Sequence, residues 1–91
     1  MQQIHIRYDE GFAEEFQRLP KNIQRKIAKA ERLFRSDIFH PSLRIHKLHG
    51  KLKGLWSISA DRKYRIIFEY MEKDTVVFHS VGAHDIYEDL A

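Results

Sequence analysis

Between Tyr64 and Val81 the chain holds two strand-like runs joined by almost nothing. Tyr64, Ile66, Phe68 and Tyr70 alternate with Arg65, Ile67 and Glu69, and Thr75–Val81 is rich in β-branched residues. Glu72–Asp74 is a tight polar turn between them, and so short a connection makes the two strands an antiparallel pair. Gly82 is expected to end the second strand. Whatever else the chain does, it must bury one face of this sheet against another layer.

The preceding sequence supplies that layer. Ile4, Ile6 and Tyr8 alternate with polar residues and read as a first strand. Asp9 is placed to cap a helix, and Glu10, Glu14 and Glu15 suit its positive end. Phe12, Phe16 and Leu19 follow at helical spacing. Pro20 breaks this helix and opens a second, being tolerated in a first helical turn. In the second helix Ile23, Ile27, Ala30 and Phe34 form one apolar stripe. Lys21, Arg25, Lys26, Lys29, Arg32 and Arg35 occupy its other faces. After a connection over residues 36–42, in which Pro41 disfavours helix at His40, Leu43–Leu48 reads as a short strand. Gly50 and Gly54 bracket a turn, and Leu55–Ala60 reads as a strand with Trp56, Ile58 and Ala60 in one phase. The expected fold is α+β, of order β-α-α-β-β-β: a helical hairpin packed on a small, mainly antiparallel sheet. Residues 1–91 make one domain, since 91 residues support only one thin core. The tail from Ala83 to Ala91 is expected to be a helical turn or an ordered loop.

Charge is unevenly placed. Residues 1–17 carry one arginine and four acids, and residues 66–91 one lysine and six acids. Residues 18–65 carry fourteen Lys or Arg against Glu31, Asp37 and Asp61. Such a block steers phosphate-bearing ligands. Over residues 18–35 a solvated helix face explains it equally well, but over residues 44–65 the cations lie among strands and turns. The partner class expected is therefore a polyanion, with RNA first. The chain has no cysteine, which excludes disulfides and thiolate metal sites. It has no apolar run of membrane-spanning length and no apolar signal core near Met1. A soluble cytoplasmic protein without membrane contact is the expectation.

Six histidines stand at positions 5, 40, 46, 49, 79 and 84. His46 and His49 have a spacing compatible with metal ligands, but no carboxylate lies near in sequence, so no metal and no cofactor is expected. His5 and His79 lie within strands and read as structural. His84 follows the last strand, where an imidazole can give or take a proton near neutrality. Arg65 lies in the neighbouring strand, where its guanidinium can hold a phosphate through two parallel hydrogen bonds. Tyr87 can stack on a base.

Three stretches resemble the RelE/ParE superfamily of type II toxins: HKLHGKLKGLWSI from His46, DRKYRIIFEY over residues 61–70, and VVFHSVGAHDIYEDL over residues 76–90. The order of strand, helical hairpin and meander agrees along the whole chain. GAHDIYEDL looks more RelE-like than ParE-like, and His46 resembles the additional histidine of the YafQ-like branch. The resemblance implies a ribosome-dependent, metal-independent messenger-RNA endoribonuclease. In that chemistry the RNA's own 2′-hydroxyl attacks the adjacent phosphorus and translation stops. It assigns Arg65 to the scissile phosphate, His84 and His46 to proton transfer, Tyr87 to the substrate base, and Lys47, Lys51 and Lys53 to RNA phosphates. Ser57 and Ser59 depart from the pattern, since RelE places lysines there. Two alternatives stay open: a ParE-like, non-catalytic inhibitor of DNA gyrase, and a member that has lost toxicity. The implied partners are a cognate antitoxin, messenger RNA and the ribosome, with DNA bound only through the antitoxin complex.

Overall fold

The hairpin read from the Glu72–Asp74 turn forms the middle of a five-stranded sheet. In this computed structural model, which describes residues 4–83, the elements are β1 His5–Tyr8, α1 Glu10–Arg18, α2 Lys21–Ser36, β2 His46–Lys47, β3 Trp56–Ser59, β4 Tyr64–Glu72 and β5 Thr75–Ala83. The sheet order is β1-β5-β4-β3-β2. The meander β2 to β5 is antiparallel, and β1 joins it parallel to β5. The chain is thus α+β, with two helices on a mostly antiparallel sheet. Four strands follow the helical hairpin, one more than in the β-α-α-β-β-β order. Among the described residues no helix is long and apolar enough to cross a membrane.

The apolar stripe of α2 does what its spacing predicts. Ile23, Ile27, Ala30 and Phe34 are all buried. Phe34 is fully enclosed and meets Phe68 of β4 and Phe78 of β5 edge-on, at ring-centroid distances of 5.0 and 5.6 Å. From α1, Phe12 joins the same core, with Phe16 and Leu19 packed at its margin. The two helices are tied through Gln24. Its side-chain amide donates to the carbonyls of Phe16 at 3.1 Å and Leu19 at 3.0 Å, at the C-terminal end of α1. Pro20 sits just outside α2, at its N-cap, and its carbonyl accepts from Ile23 and Gln24.

Several boundaries differ from those read in the sequence. The strand expected over Leu43–Leu48 shrinks to two residues. Pro41–Leu43 is a tight 3-10 turn that drives Leu43 into the core, and Arg44 follows in the left-handed region at φ 48°. Strand β5 does not stop at Gly82. It runs on to Ala83, because Gly82 and Ala83 pair with Arg65 and Tyr64. Glu72 belongs to β4, opposite Thr75.

One acid closes the sheet where β1 runs out. Strand β1 pairs with β5 only from Thr75 to Phe78. Beyond that point Glu15 of α1 accepts from Ser80 Oγ at 2.8 Å and from the backbone N–H of Val81 at 3.3 Å. A carboxylate therefore stands where a neighbouring strand's carbonyl would otherwise serve an edge donor.

A second tie crosses the bulge between Ile67/Phe68 and Ser80/Phe78, where His79 is the extra residue. Its Nδ1 lies 2.7 Å from Asp9 Oδ2, and its Nε2 lies 2.9 Å from Glu69 Oε1. Both partners are acceptors, so only the imidazolium can donate to both. Burial pulls the imidazole's pKa down, but the hydrogen bonds and charges of Asp9 and Glu69 outweigh it and raise it above the usual value. Asp9 also caps α1, its Oδ1 accepting from the Phe12 N–H at 2.9 Å. A raised folded-state pKa adds stability that is full below the unfolded value of about 6.5 and is lost as pH rises through the folded value. In urea titrations, wild-type protein should lose about 1 kcal/mol more stability than His79→Gln on going from about pH 6 to pH 8; both carboxylates are partly solvated, which keeps the figure small. Parallel pH profiles would remove His79 as the titrating tie.

Candidate functional site

Strand register sorts the predicted residues by face. His46, Ser57, Ile67 and Ser80 form one row across β2, β3, β4 and β5, and Ser59, Arg65 and Gly82 form the next. Their chain neighbours Ile58, Ile66 and Val81 enter the helix-covered core. Alternation therefore puts His46 and Arg65 on the sheet face away from the helices. Ser57, Ser59 and Ser80 are buried in this face, His46 is exposed at its margin, and Arg65 is half-buried. Arg65 stands between Ser59 and Gly82. Small neighbours on both sides leave its guanidinium room.

The guanidinium is fixed by backbone. Arg65 Nη1 donates to the carbonyls of Asp61 at 2.6 Å and Tyr64 at 3.2 Å. Its remaining N–H groups have no acceptor among the described residues, so one edge is held and the other is available to an anion. The Asp61 carbonyl is itself placed by a turn that the Asp61 side chain organises. Oδ1 accepts from the N–H groups of Lys63 at 2.8 Å and Tyr64 at 2.7 Å, and Oδ2 pairs with Lys26 Nζ on α2 at 3.2 Å. Burial pushes the carboxyl's pKa up, but those two N–H groups and the Lys26 ammonium hold it below the usual range.

His46 is oriented in a similar way. Its Nδ1 lies 3.1 Å from the carbonyl of Arg44. A carbonyl only accepts, so Nδ1 carries the hydrogen, and in the neutral imidazole Nε2 is the nitrogen left to accept. The left-handed turn at Arg44 brings that carbonyl within reach. What this face can do chemically is accept a proton at His46 and hold an anion at Arg65.

The three lysines lie apart from this pair. Lys47 pairs with Trp56 and so faces the helix side of the sheet, with its ammonium 5.3 Å from the indole centroid. Lys51 is exposed in the 3-10 turn Gly50–Leu52, and Lys53 is exposed just after it. Lys47 and Lys53 border a cavity of about 480 Å³. His84 and Tyr87 lie outside the described residues. Among the described residues no group of three or more His, Asp or Glu side chains is arranged to hold a metal. Sequence reading missed the positioning role of Asp61, although an Asp opening a polar turn before a strand is a recognisable Asx-turn signal. It also missed that His79 is clamped by two acids distant in sequence.

A family model described as the RelE-like toxin of type II toxin-antitoxin system HigB matches residues 13–84. Solved structures share the fold. Escherichia coli YafQ superposes with a TM-score of 0.76 at 16% identity, covering 93% of this chain and 98% of that one. A YoeB/ParE toxin from Agrobacterium tumefaciens gives 0.72 at 15% identity, with coverage of 89% and 99%. The archaeal RelE–RelB complex from Pyrococcus horikoshii gives 0.71 at 17%, with coverage of 90% and 96%. YafQ is also found in a toxin–antitoxin complex with DinJ. No curated protein sequence matches this chain.

The turn yields a graded test. Asp61→Ala removes both acceptor roles and should cost about 1–2 kcal/mol in urea unfolding. Asp61→Asn keeps Oδ1 as acceptor and gives up the charge on Lys26, an exposed pair, and should cost less than half as much. Equal losses in the two variants would show that the ion pair, not the turn, matters.

Proposed function

Because this chain belongs to the HigB family of RelE-like toxins of type II toxin-antitoxin systems, we propose that it is a messenger-RNA endoribonuclease that acts on the translating ribosome and needs no metal. The observation that carries this reading is one sheet face holding His46, with an open Nε2, and Arg65, with a backbone-anchored guanidinium. The register sets their Cα atoms about 12 Å apart, two strand spacings across and two residues along. Two side chains reaching inward from that separation can flank one phosphodiester.

In the proposed reaction His46 Nε2 takes the proton of the 2′-hydroxyl. The resulting oxygen attacks the adjacent phosphorus, the bond to the 5′-oxygen breaks, and a cyclic phosphate remains. Arg65 meets the charge that develops on the phosphoryl oxygens. His84 returns a proton to the leaving 5′-oxygen, and Tyr87 stacks on the neighbouring base. Lys47, Lys51 and Lys53 hold phosphates at the sheet margin and set affinity rather than sequence choice. Arg65 with its held geometry supplies cationic stabilisation that Ser57 and Ser59 cannot.

The partner proposed on the same grounds is a cognate antitoxin, since YafQ is found in complex with DinJ and RelE with RelB; an acidic segment of that antitoxin would suit the basic surface. Any DNA contact would come through that complex. The site of action is the cytoplasm, where ribosomes are.

Primer extension on a defined message in a purified translation system tests the reading. Wild-type protein should leave discrete cuts at A-site codons. His46→Gln and His84→Gln should each cut about 10²–10⁴-fold more slowly with the fold retained, and Arg65→Ala should fall by at least as much. Intact message with folded wild-type protein would end the nuclease reading, and inhibited supercoiling by gyrase would replace it with the ParE-like one.

A further inference from the structure

The loop between β2 and β3 builds a cavity whose apolar walls the catalytic reading does not use. The cavity of about 480 Å³ is walled by Leu48, Leu55 and Trp56 and bordered by Lys47, His49 and Lys53. Its apolar walls are half-buried, while the two lysines and His49 are exposed. Gly50 and Gly54 turn the chain at φ 68° and 97°, and a Cβ at either would meet nothing within 4 Å. The loop is therefore open at both bends.

Trp56 is arranged as a platform. In register, Lys47, Trp56 and Phe68 lie abreast on β2, β3 and β4. The indole stacks on buried Phe68 at 6.3 Å and meets Tyr70 edge-on at 5.4 Å. These contacts fix one side of the ring. From the strand on the other side, Lys47 sets its ammonium over the ring on an exposed, flexible stem, the one cation over this indole among the described residues. An exposed cation–π contact is weaker than the stacking of a base on an aromatic ring. A base can therefore displace the ammonium, which then remains beside the phosphate of the same nucleotide.

We propose that this cavity is a nucleotide subsite: it takes one unpaired base of single-stranded RNA on Trp56, with Lys47 and Lys53 on its flanking phosphates. The inference rests on RNA being the substrate. The site lies on the other side of the β2 margin from His46, so the strand passes round the edge of the sheet. Substrate selection would then begin away from the scissile bond.

Trp56 is the chain's one tryptophan, so its emission reports this site directly. The probe is a 2′-O-methyl RNA hexamer, which has no 2′-hydroxyl nucleophile and cannot be cut. It should quench Trp56 saturably, and binding should weaken about fivefold or more in Lys53→Ala and in Lys47→Ala, and not in Lys73→Ala on the β4–β5 turn. An abasic hexamer of equal charge should bind more weakly and leave the emission unchanged. Three results would overturn the proposal: hexamer binding seen by anisotropy with silent Trp56, equal quenching by the abasic strand, or the same lysine-dependent quenching by an acidic peptide but not by RNA. A silent Trp56 alongside message that is still cut rejects this subsite alone, whereas quenching with uncut message rejects only the nuclease reading.

Discussion

The fold depends on Phe34 closing over Phe68 and Phe78. A chain of 91 residues can build only a thin core, and this contact joins α2 to the two longest strands at the centre of the sheet. Once Phe34 is seated, Ala30 and Ile27 follow one and two turns earlier on the same stripe, and Leu43 is drawn in behind them by the turn at Pro41. A helix that buries a single stripe leaves the rest of its circumference in water. The cations of α2 are where they are because no other part of the fold can cover them.

The site inherits its geometry from the backbone. Arg65 is aimed by two carbonyls, one of them placed by the Asp61 turn, and His46 is oriented by the carbonyl of the left-handed Arg44. Both side chains are therefore positioned by local chain conformation rather than by packing. That suits a site at the surface of a small domain. It also ties the face to α2, because Lys26 reaches Asp61 from the helix.

What the sequence revealed were features governed by periodicity. The four buried residues of α2 and the alternation of β4 were readable because one face of each is buried and the other is not. Failures came where tertiary contacts decide. Pairing with Arg65 and Tyr64 carries β5 through Gly82, which local turn propensity alone would have used to stop it. Ser57 and Ser59 are small and polar, yet both are buried beside Ile67, which alternation alone assigns to an open face. The bulge at His79 depends on Asp9, seventy residues earlier, and nothing local announces it. For the site, residue types and family pattern named Arg65 and His46. The contacts that orient them belong to the folded chain.

Those contacts also explain why a net charge of +3 understates the surface. Several of the described carboxylates are turned to internal tasks. Asp9 caps α1 and holds His79, Glu15 closes the edge of β5, Glu69 takes the other side of His79, Asp61 shapes a turn, and Glu31 binds Arg35 and the Tyr8 hydroxyl. Among the described residues, Lys26 and Arg35 are the Lys or Arg side chains in contact ion pairs. The oxygens of these acids face donors within the fold. Arg44, Lys47, Lys51, Lys53, Arg62 and Lys63 are exposed, without a carboxylate at contact distance among the described residues. The loops around β2 and β3 therefore carry cations that no described carboxylate holds at contact distance, and the same internal ties that stabilise the sheet leave their positive potential uncompensated among the described residues.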